Sequence, residues 1–462
     1  MKPIIIDFRD SSAEPLYIQL YKKIRDDILS GGIAEGEKLP SLRSLSRSLS
    51  VSMTTTQQAY DQLLVEGYIV SKPQLGYYAA DVFSAGDDKD MQKIMAPVPE
   101  SVLADSDHPP YICDPDCFDF NKWKKCSSKI FNEHSNLLLY GSDPQGEKAL
   151  RHEITKYVYT SRGVICSPEQ IVIGAGTQQI TGQLCRILPK MDINHVSVES
   201  PGYLPVQNSF RDSGFSISHI PVGNDGIEIE RLPANISTAV YVSPSNQFPT
   251  GAVMPVGRRR QLLRWASDND SIIIEDDYDS ELRYFGRPVP ALRSLDKDGR
   301  VVYLGSFSST LFPAIKISYM ILPPSMAEIF SKTKGDYAQT CSKAEQLTLA
   351  LFMEEGYYYT GIRKLRNLYS QKLSLTLDAF AKHADERAVP VNTNSGINLM
   401  IRFATEKTAD ELCDLAKSVG LHMVPFSKIT EDKSASIIFY YSKLPAKMID
   451  SLIGKFLALL KV

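Results

Sequence analysis

Residues 272–281 read Ile-Ile-Ile-Glu-Asp-Asp-Tyr-Asp-Ser-Glu, an apolar run that passes directly into acidic and hydroxyl side chains. A short β-branched run of this kind predicts a buried strand, and the polar residues behind it predict a loop at the strand's carboxyl end. Similar runs occur at residues 171–173, 196–198, 239–242 and 301–304, with helical segments between them. Because strands that alternate with helices form mostly parallel sheets, we expect an α/β domain.

Polar loops follow four of these strands, at residues 174–179, 243–251, 275–281 and 306–310. Ligands of open α/β sheets bind at this edge. The glycine-rich turn at 174–176 offers backbone N–H groups to a phosphate, and Ser306, Ser308 and Lys316 add hydroxyls and charge. Asp276 suits a protonated ring nitrogen, and Tyr203 can stack on a flat ring. Each feature alone fits a capped helix or an ordinary polar loop, but their shared order predicts a site for an anionic, planar ligand.

The N-terminal segment has the pattern of a small helical unit with a short β end. Apolar residues recur at four-residue spacing from Leu16 to Ile28, which predicts one face of a helix. A second short helix follows Pro40, and Ser52 is placed to cap a third. A two-stranded ribbon is predicted around Gly76.

Helix, short helix, turn, helix and ribbon is the order of a winged helix-turn-helix, whose third helix enters the major groove of DNA. Thr54 and Thr55 lie at the start of that helix, where hydroxyls suit phosphate contacts. From Lys38 to Tyr60 the sequence has three basic residues and no acidic one. The alternative is a helical protein-interaction domain whose threonines are polar surface.

Separate blocks of this segment resemble the GntR-type DNA-binding domain in order and spacing. They are Pro-Leu-Tyr-Ile-Gln-Leu at 15–20, Leu-Pro-Ser-Leu-Arg at 39–43, Val-Ser at 51–52, Ala-Tyr at 59–60 and Glu-Gly-Tyr at 66–68. The resemblance implies contacts to double-stranded operator DNA from five residues: Ser41, Arg43, Thr54, Thr55 and Gly76. One departure is Met53, which stands where the family usually carries an arginine.

Composition excludes several other classes of protein. The 462 residues are 43% hydrophobic and 23% charged, with a net charge of −3, so we expect packed domains and no globally basic nucleic-acid binder. We expect no transmembrane helix and no secretory signal at the N-terminus. Seven cysteines, an odd number, fit reduced thiols and a cytoplasmic location. Their spacing fits no zinc pattern, so no metal site is predicted.

The second resemblance covers the rest of the chain. The blocks that carry it are Tyr-Gly at 140–141 with Asp-Pro-Gln-Gly at 143–146, Gly-Ala-Gly-Thr-Gln-Gln at 174–179, Pro-Gly-Tyr at 201–203, Pro-Ser-Asn-Gln-Phe-Pro-Thr-Gly at 244–251, and residues 275–281. They resemble the fold-type-I, pyridoxal 5′-phosphate-dependent aminotransferases. Because these blocks follow a GntR-type DNA-binding domain, the whole chain is similar to the MocR regulators.

This resemblance implies an architecture and a set of roles. We expect a DNA-binding domain at 1–80, a linker at 81–115 and an aminotransferase-like effector domain at 116–462, with large and small subdomains and the small one at about 335–462. MocR regulators are homodimers that use pyridoxal 5′-phosphate as an effector cofactor. By resemblance, Thr177 and Gln178 meet the phosphate, Tyr203 stacks on the ring, and Asp276 and Tyr278 hold the pyridine.

The decisive departure lies at residues 305–310, Gly-Ser-Phe-Ser-Ser-Thr. The family carries Gly-Thr-Phe-Ser-Lys-Thr here, and its lysine forms the Schiff base with the cofactor. Ser309 takes that place and has no amine, so covalent binding and ordinary transamination are not expected. Lys316 stands where the family has a phosphate-binding arginine, and the chain has no arginine after Arg402 to hold a substrate carboxylate.

Three hypotheses follow. The first is a transcriptional regulator whose effector domain has lost covalent cofactor chemistry and binds a pyridoxal-like or amino-acid ligand non-covalently, or nothing. The second is a regulator that senses pyridoxal 5′-phosphate reversibly. The third is an aminotransferase or lyase that uses an unorthodox amine. The operator, the small-molecule effector and the direction of regulation are not readable from the sequence.

Overall fold

A computed structural model describes residue 6 and residues 14–81, 114–284, 290–384, 387–391, 393, 396–426 and 435–460. The chain divides into two compact units, Met1–Asp107 and His108–Val462. The predicted linker at 81–115 lies outside the described residues, except for its first residue and its last two.

The first unit has the predicted order of elements. They are α1 (Leu16–Leu29), α2 (Leu42–Ser48), α3 (Met53–Val65), β1 (Ile69–Lys72) and β2 (Gly76–Ala79). Leu20, Ile24 and Leu63 are fully buried between the helices. Ser52 caps α3, since its hydroxyl accepts the Thr55 N–H at 3.0 Å. The antiparallel pair β1–β2 forms the wing.

The second unit is built on an eight-stranded sheet in the order β3-β10-β9-β8-β7-β4-β5-β6. Its strands are β3 (Ile171–Gly174), β4 (His195–Ser200), β5 (Ser216–Gly223), β6 (Gly226–Ile227), β7 (Ala239–Val242), β8 (Ile272–Asp276), β9 (Val301–Ser306) and β10 (Ser318–Ile321). Neighbours from β9 across to β5 are parallel, as the sequence predicts.

Helices cover both faces of this sheet. They are α4 (Phe120–Glu133), α5 (Lys148–Arg162), α6 (Thr177–Ile187), α7 (Leu204–Asp212), α8 (Val256–Asp268), α9 (Pro324–Thr333) and α10 (Lys343–Glu354). The long helix α11 (Tyr357–His383) continues from this sheet to a second, smaller one, whose core includes its Leu373 and Phe380. Ile272 and Ile274 join one hydrophobic cluster and Ile273 joins another. Both faces of β8 are therefore buried, which is why its sequence is a continuous apolar run.

Strand β10 was not among the strands predicted from the sequence. It runs antiparallel to both β3 and β9, and Ser318 is paired with Gly174 on one side and Ser306 on the other. An antiparallel strand starts at the edge where its parallel neighbours end. Ser318 therefore joins the polar loops.

A second, small sheet of four strands packs against the C-terminal helices. Its strands are β11 (Ala388–Val391), β12 (Leu399–Phe403), β13 (Met423–Pro425) and β14 (Ser436–Phe439), in the antiparallel order β11-β12-β14-β13. Helices α12 (Ala409–Ser418) and α13 (Ile449–Leu459) cover it. Its core includes Leu399, Ile401, Phe439 and Phe456.

Candidate ligand pocket and nucleic-acid interface

One cavity of about 540 Å³ opens at the carboxyl edge of the large sheet. This volume is within the usual range for small-molecule sites. All nine residues that the sequence nominates for a ligand line it: Thr177, Gln178, Tyr203, Asp276, Tyr278, Ser306, Ser308, Ser309 and Lys316. Eight further residues complete its wall: Ala175, Gly176, Phe248, Asp279, Ser318, Ile397, Asn398 and Tyr440.

The turn between β3 and α6 is shaped for close approach of a ligand to the backbone. Gly176 precedes the helix with φ 91°, a left-handed conformation that favours glycine. A side chain at Gly174 has no room, because its Cβ would lie 2.0 Å from Gln179 Oε1. Thr177 is the first residue of α6, so the N–H groups of the first turn point toward the cavity's edge. This arrangement can bind a phosphate or another anion.

Three serine hydroxyls lie beside this turn. Ser318 Oγ donates to Ser306 Oγ at 3.0 Å, and Ser306 Oγ lies 3.4 Å from Ser308 Oγ. Ser308 Oγ also donates to the Ile315 carbonyl oxygen at 3.1 Å. Lys316 lines the cavity from an exposed position. Hydroxyls and one cation around a helix start complete an anion-binding arrangement.

Asp276 ends β8 and supplies a buried carboxylate at the centre of the sheet edge. Burial raises its pKa to about 6, while a hydrogen bond from the Tyr241 hydroxyl favours the charged form. Three aromatic rings stand near it: Tyr203 and Phe248 have centroids 6.2 Å apart, and Phe248 and Tyr278 have centroids 6.3 Å apart. A carboxylate beside aromatic rings can hold a protonated heterocycle.

Ser309 and Asp279 meet in the wall of the same cavity. The Ser309 hydroxyl and the Ile397 N–H lie close enough to the Asp279 carboxylate to favour its charged form. Asp279 is 3% exposed, and its Oδ2 has no hydrogen-bond partner among the described residues. Burial raises the pKa of Asp279 to about 7. Asp279 belongs to the motif at residues 275–281, but no role is predicted for it from the sequence.

A buried ion pair anchors the loop that carries these residues. Arg162, at the end of α5, donates from Nε to Asp277 Oδ2 at 2.6 Å and from Nη2 to Asp277 Oδ1 at 2.8 Å. Ser245 and Tyr303 hold the two partners from either side, at 2.9 Å and 2.6 Å. The neighbouring Glu275 accepts the Leu292 and Arg293 N–H groups. These contacts fix the backbone on both sides of Asp276.

The small sheet closes one side of the cavity through Ile397, Asn398 and Tyr440. The Gly396 N–H donates to the Leu282 carbonyl oxygen at 3.0 Å. The Gly396 carbonyl oxygen in turn accepts the hydroxyls of Tyr284 at 2.6 Å and Tyr441 at 2.7 Å. Sequence reasoning missed this wall, because these residues lie more than a hundred positions from the loop they meet.

In the first unit, the residues nominated for DNA lie on α2, on α3 and at the wing. Arg43 and Thr54 are exposed. Ser41 and Thr55 have structural contacts: the Ser41 hydroxyl caps α2 by accepting the Ser44 N–H, and the Thr55 hydroxyl lies 2.8 Å from Ser52 Oγ. Gly76 begins β2 with φ 105°. Their contacts to DNA remain predictions.

Two lysines near the turn of the wing, Lys38 before α2 and Lys72 in β1, were not among the five residues nominated for DNA contact. Lys38 Nζ lies 5.9 Å and Lys72 Nζ 4.6 Å from the centroid of the Tyr78 ring. These distances are typical of cation–π contacts, which position the two charges beside the turn. Lys38 lies outside the ribbon and meets it through a bridge to Tyr78, which the sequence does not show.

Within the described ranges, no three His, Cys, Asp or Glu side chains gather as metal ligands. None of the described helices is both long enough and apolar enough to cross a membrane.

Two family profiles together span most of the chain. "Bacterial regulatory proteins, gntR family" matches residues 16–78, and "Aminotransferase class I and II" matches residues 113–456. Among solved structures, the kynurenine aminotransferase of Pyrococcus horikoshii, crystallised with PMP, has a TM-score of 0.67 at 23% identity, over 82% of this chain and 98% of that one. The α-aminoadipate aminotransferase LysN of Thermus thermophilus, complexed with N-(5′-phosphopyridoxyl)-L-leucine, has the same TM-score at 21% identity, over 82% and 98%. These likenesses confirm the predicted fold.

Full-length relatives are regulators. The uncharacterised HTH-type transcriptional regulator YhdI of Bacillus subtilis is 36% identical over 95% of both chains. The probable rhizopine catabolism regulatory protein MocR of Rhizobium meliloti is 32% identical over 99% of this chain and 96% of its own. The pyridoxine biosynthesis regulator PdxR of Corynebacterium glutamicum is 31% identical over 92% and 90%. The chain therefore belongs to the MocR-type transcriptional regulators, in which a GntR DNA-binding domain is joined to an aminotransferase-like domain.

Proposed function

We propose that the aminotransferase-like domain of this regulator binds a pyridoxal-type ligand without a covalent bond and does not catalyse transamination. The observation that carries the proposal is Ser309. It lies in the wall of the ligand cavity, where the family carries its Schiff-base lysine. Lys316 is the only lysine that lines the described cavity, and its exposed side chain stands beside the phosphate end.

The remaining residues fit the non-covalent part of pyridoxal 5′-phosphate. Asp276 can pair with a protonated pyridine nitrogen, and Tyr203 can lie against the ring. The N–H groups at the start of α6, with Ser306 and Ser308, can bind the phosphate. When a lysine amine holds this cofactor, the ring supplies an electron sink for amino-acid chemistry. A serine cannot take part in that chemistry, so the ring is a ligand to be sensed.

Binding in this pocket is a means of regulation if it favours one arrangement of the protein. A ligand shifts such an equilibrium by its difference in affinity for the two states. We infer that the protein acts as a homodimer in the cytoplasm and that ligand binding changes its affinity for an operator. A relative named for the regulation of pyridoxine biosynthesis supports this class of ligand.

The test uses the purified full-length protein and pyridoxal 5′-phosphate. Its absorbance is recorded with ligand, after dialysis, and after borohydride reduction followed by dialysis. DNA affinity is measured by fluorescence anisotropy with and without the ligand, on a duplex selected from a random-sequence pool. We expect saturable binding that dialysis reverses, no cofactor fixed by borohydride, and a ligand-dependent change in DNA affinity.

Two results would contradict the proposal. A visible band that survives dialysis would mean that another lysine, Lys316 first, bonds to the cofactor. Turnover of an amino donor would mean that the domain is an enzyme. Saturable, reversible binding with no effect on any selected duplex would retain the pocket and reject its regulatory role.

A further inference from the structure

Asp279 is a buried carboxylate with an incomplete set of hydrogen-bond partners among the described residues. Its side chain is 3% exposed, and Oδ2 has no hydrogen-bond partner among the described residues. The residue also holds a left-handed backbone conformation, with φ 56°. A buried acceptor without a donor is costly, and each such group in a native structure calls for an explanation, such as strain, a catalytic role or a bound water or ion.

The charges around Asp279 do not compensate it. The charged groups with the largest effect on its pKa are the carboxylates of Glu281 and Asp276, and both raise it. The polar groups that favour its charged form, the Ser309 hydroxyl and the Ile397 N–H, are neutral. Lys316 is the only cation on the described cavity wall, and it is exposed. The carboxylate therefore faces the cavity without a buried counter-charge.

We propose that Asp279 binds a primary ammonium group of the ligand next to Ser309, so that the pocket selects the amine form of a pyridoxal-type ligand over its aldehyde and alcohol forms. This inference rests on the proposed function, because it assumes that the cavity takes this class of ligand. It adds which form of the ligand is bound and which residue distinguishes it.

The chemistry of the three ligand forms explains the selection. An ammonium group has three donors and a positive charge, so it can pair with the Asp279 carboxylate and still donate to Ser309 Oγ. An aldehyde has neither a donor nor a charge, so it would leave the carboxylate unpaired. An alcohol has one donor and no charge, so it would donate to the carboxylate but leave its charge uncompensated.

The experiment compares two ligands that differ in one group, pyridoxamine 5′-phosphate and pyridoxine 5′-phosphate. Each is titrated into the full-length protein by isothermal calorimetry. We expect the amine to bind about tenfold more tightly or better, the factor typical of a hydrogen bond to a charged group. In Asp279→Asn this preference should disappear, because the charge is removed and the shape is kept.

The variant is well suited to the site. Asparagine tolerates the left-handed conformation at least as well as aspartate, so Asp279→Asn should fold. The matched control is Asp192→Asn, the same substitution at another left-handed position, with φ 59°. Asp192 is exposed and does not line the cavity, so its variant should keep a ligand preference close to that of the wild type.

The outcomes separate this inference from the proposed function. If the wild type binds both ligands equally, or if Asp279→Asn keeps the preference, the assignment of Asp279 is wrong while the pocket stands. If the wild type binds neither ligand and does not bind pyridoxal 5′-phosphate, the proposed function fails and this inference fails with it.

Discussion

Arg162 and Asp277 form a two-pronged ion pair, with N–O distances of 2.6 Å and 2.8 Å, in which the side chains are 3% and 0% exposed. Burial alone would raise the pKa of Asp277, but Arg162 holds it below its usual range. The pair joins the end of α5 to the loop after β8. Since Asp276 is the adjacent residue, the ion pair also fixes the position of the Asp276 carboxylate at the cavity.

Breaking this pair should destabilise the second unit strongly. Arg162→Met leaves Asp277 as a buried charge with fewer donors, and we expect a loss of about 3–5 kcal/mol in the free energy of unfolding. Urea unfolding followed by tryptophan fluorescence measures it. Arg258→Ala is the matched control, because its partner Glu230 is 70% exposed, and we expect a loss of no more than about 1 kcal/mol. Equal losses would show that the buried pair has no special role.

Restoring the lysine should restore covalent retention of the cofactor. In Ser309→Lys the new amine starts from the cavity wall beside Asp279, whose carboxylate can accept its proton or pair with its charge. We expect this variant to keep pyridoxal 5′-phosphate through dialysis and to fix it after borohydride reduction. The wild type and Ser309→Ala should release it. Release from Ser309→Lys as well would mean that a lysine at position 309 cannot reach the cofactor.

Stability should fall as the pH rises because of Glu199. Burial raises the pKa of this side chain to about 8 from an ordinary value of 4.5, although Ser243 and Gln247 donate to it. A carboxyl with a raised pKa contributes stability that is complete below about pH 4.5 and is lost as the pH rises through about 8. Glu199→Gln should therefore flatten the decline of Tm between about pH 4.5 and about pH 8. Glu328→Gln, an exposed control at 69%, should leave the slope unchanged.

Arg43 should contribute one ionic contact to DNA. If it meets a phosphate, Arg43→Ala should weaken binding about tenfold across sequences and lower the slope of log Kd against log salt by about one. Fluorescence anisotropy at several salt concentrations measures both. Lys332→Ala removes the same charge from an exposed helix of the second unit and should change neither. A change in sequence preference with an unchanged salt slope would indicate a base contact.

The sequence predicted the elements that have strong local signals. The apolar runs at 171–173, 239–242 and 272–274 became strands because a buried parallel strand needs apolar side chains on both faces. Ser52 was identified as a helix cap, since capping depends on one side chain and its own next turn. The order of the polar loops and the resemblance to the aminotransferases together nominated the nine side chains that line one cavity.

What the sequence missed depends on contacts between distant segments. Ser318 reaches the cavity only because β10 is antiparallel to its neighbours. The four residues of β10 do not show in which direction the strand runs. Ile397 and Tyr440 arrive with the small sheet. Asp279 Oδ2 has no hydrogen-bond partner among the described residues because of the way several segments of the chain meet in the cavity wall. No single segment of the sequence shows this.

The three hydrogen bonds at Gly396 make this backbone a reporter of the ligand loop. Its amide hydrogen is held by the Leu282 carbonyl oxygen, and the next amide, that of Ile397, lies beside the Asp279 carboxylate. Such hydrogens exchange with solvent only when the segment opens locally. A ligand that pairs with Asp279 should therefore slow deuterium uptake at these two positions, which precede β12 and lie more than a hundred residues along the chain from Asp279.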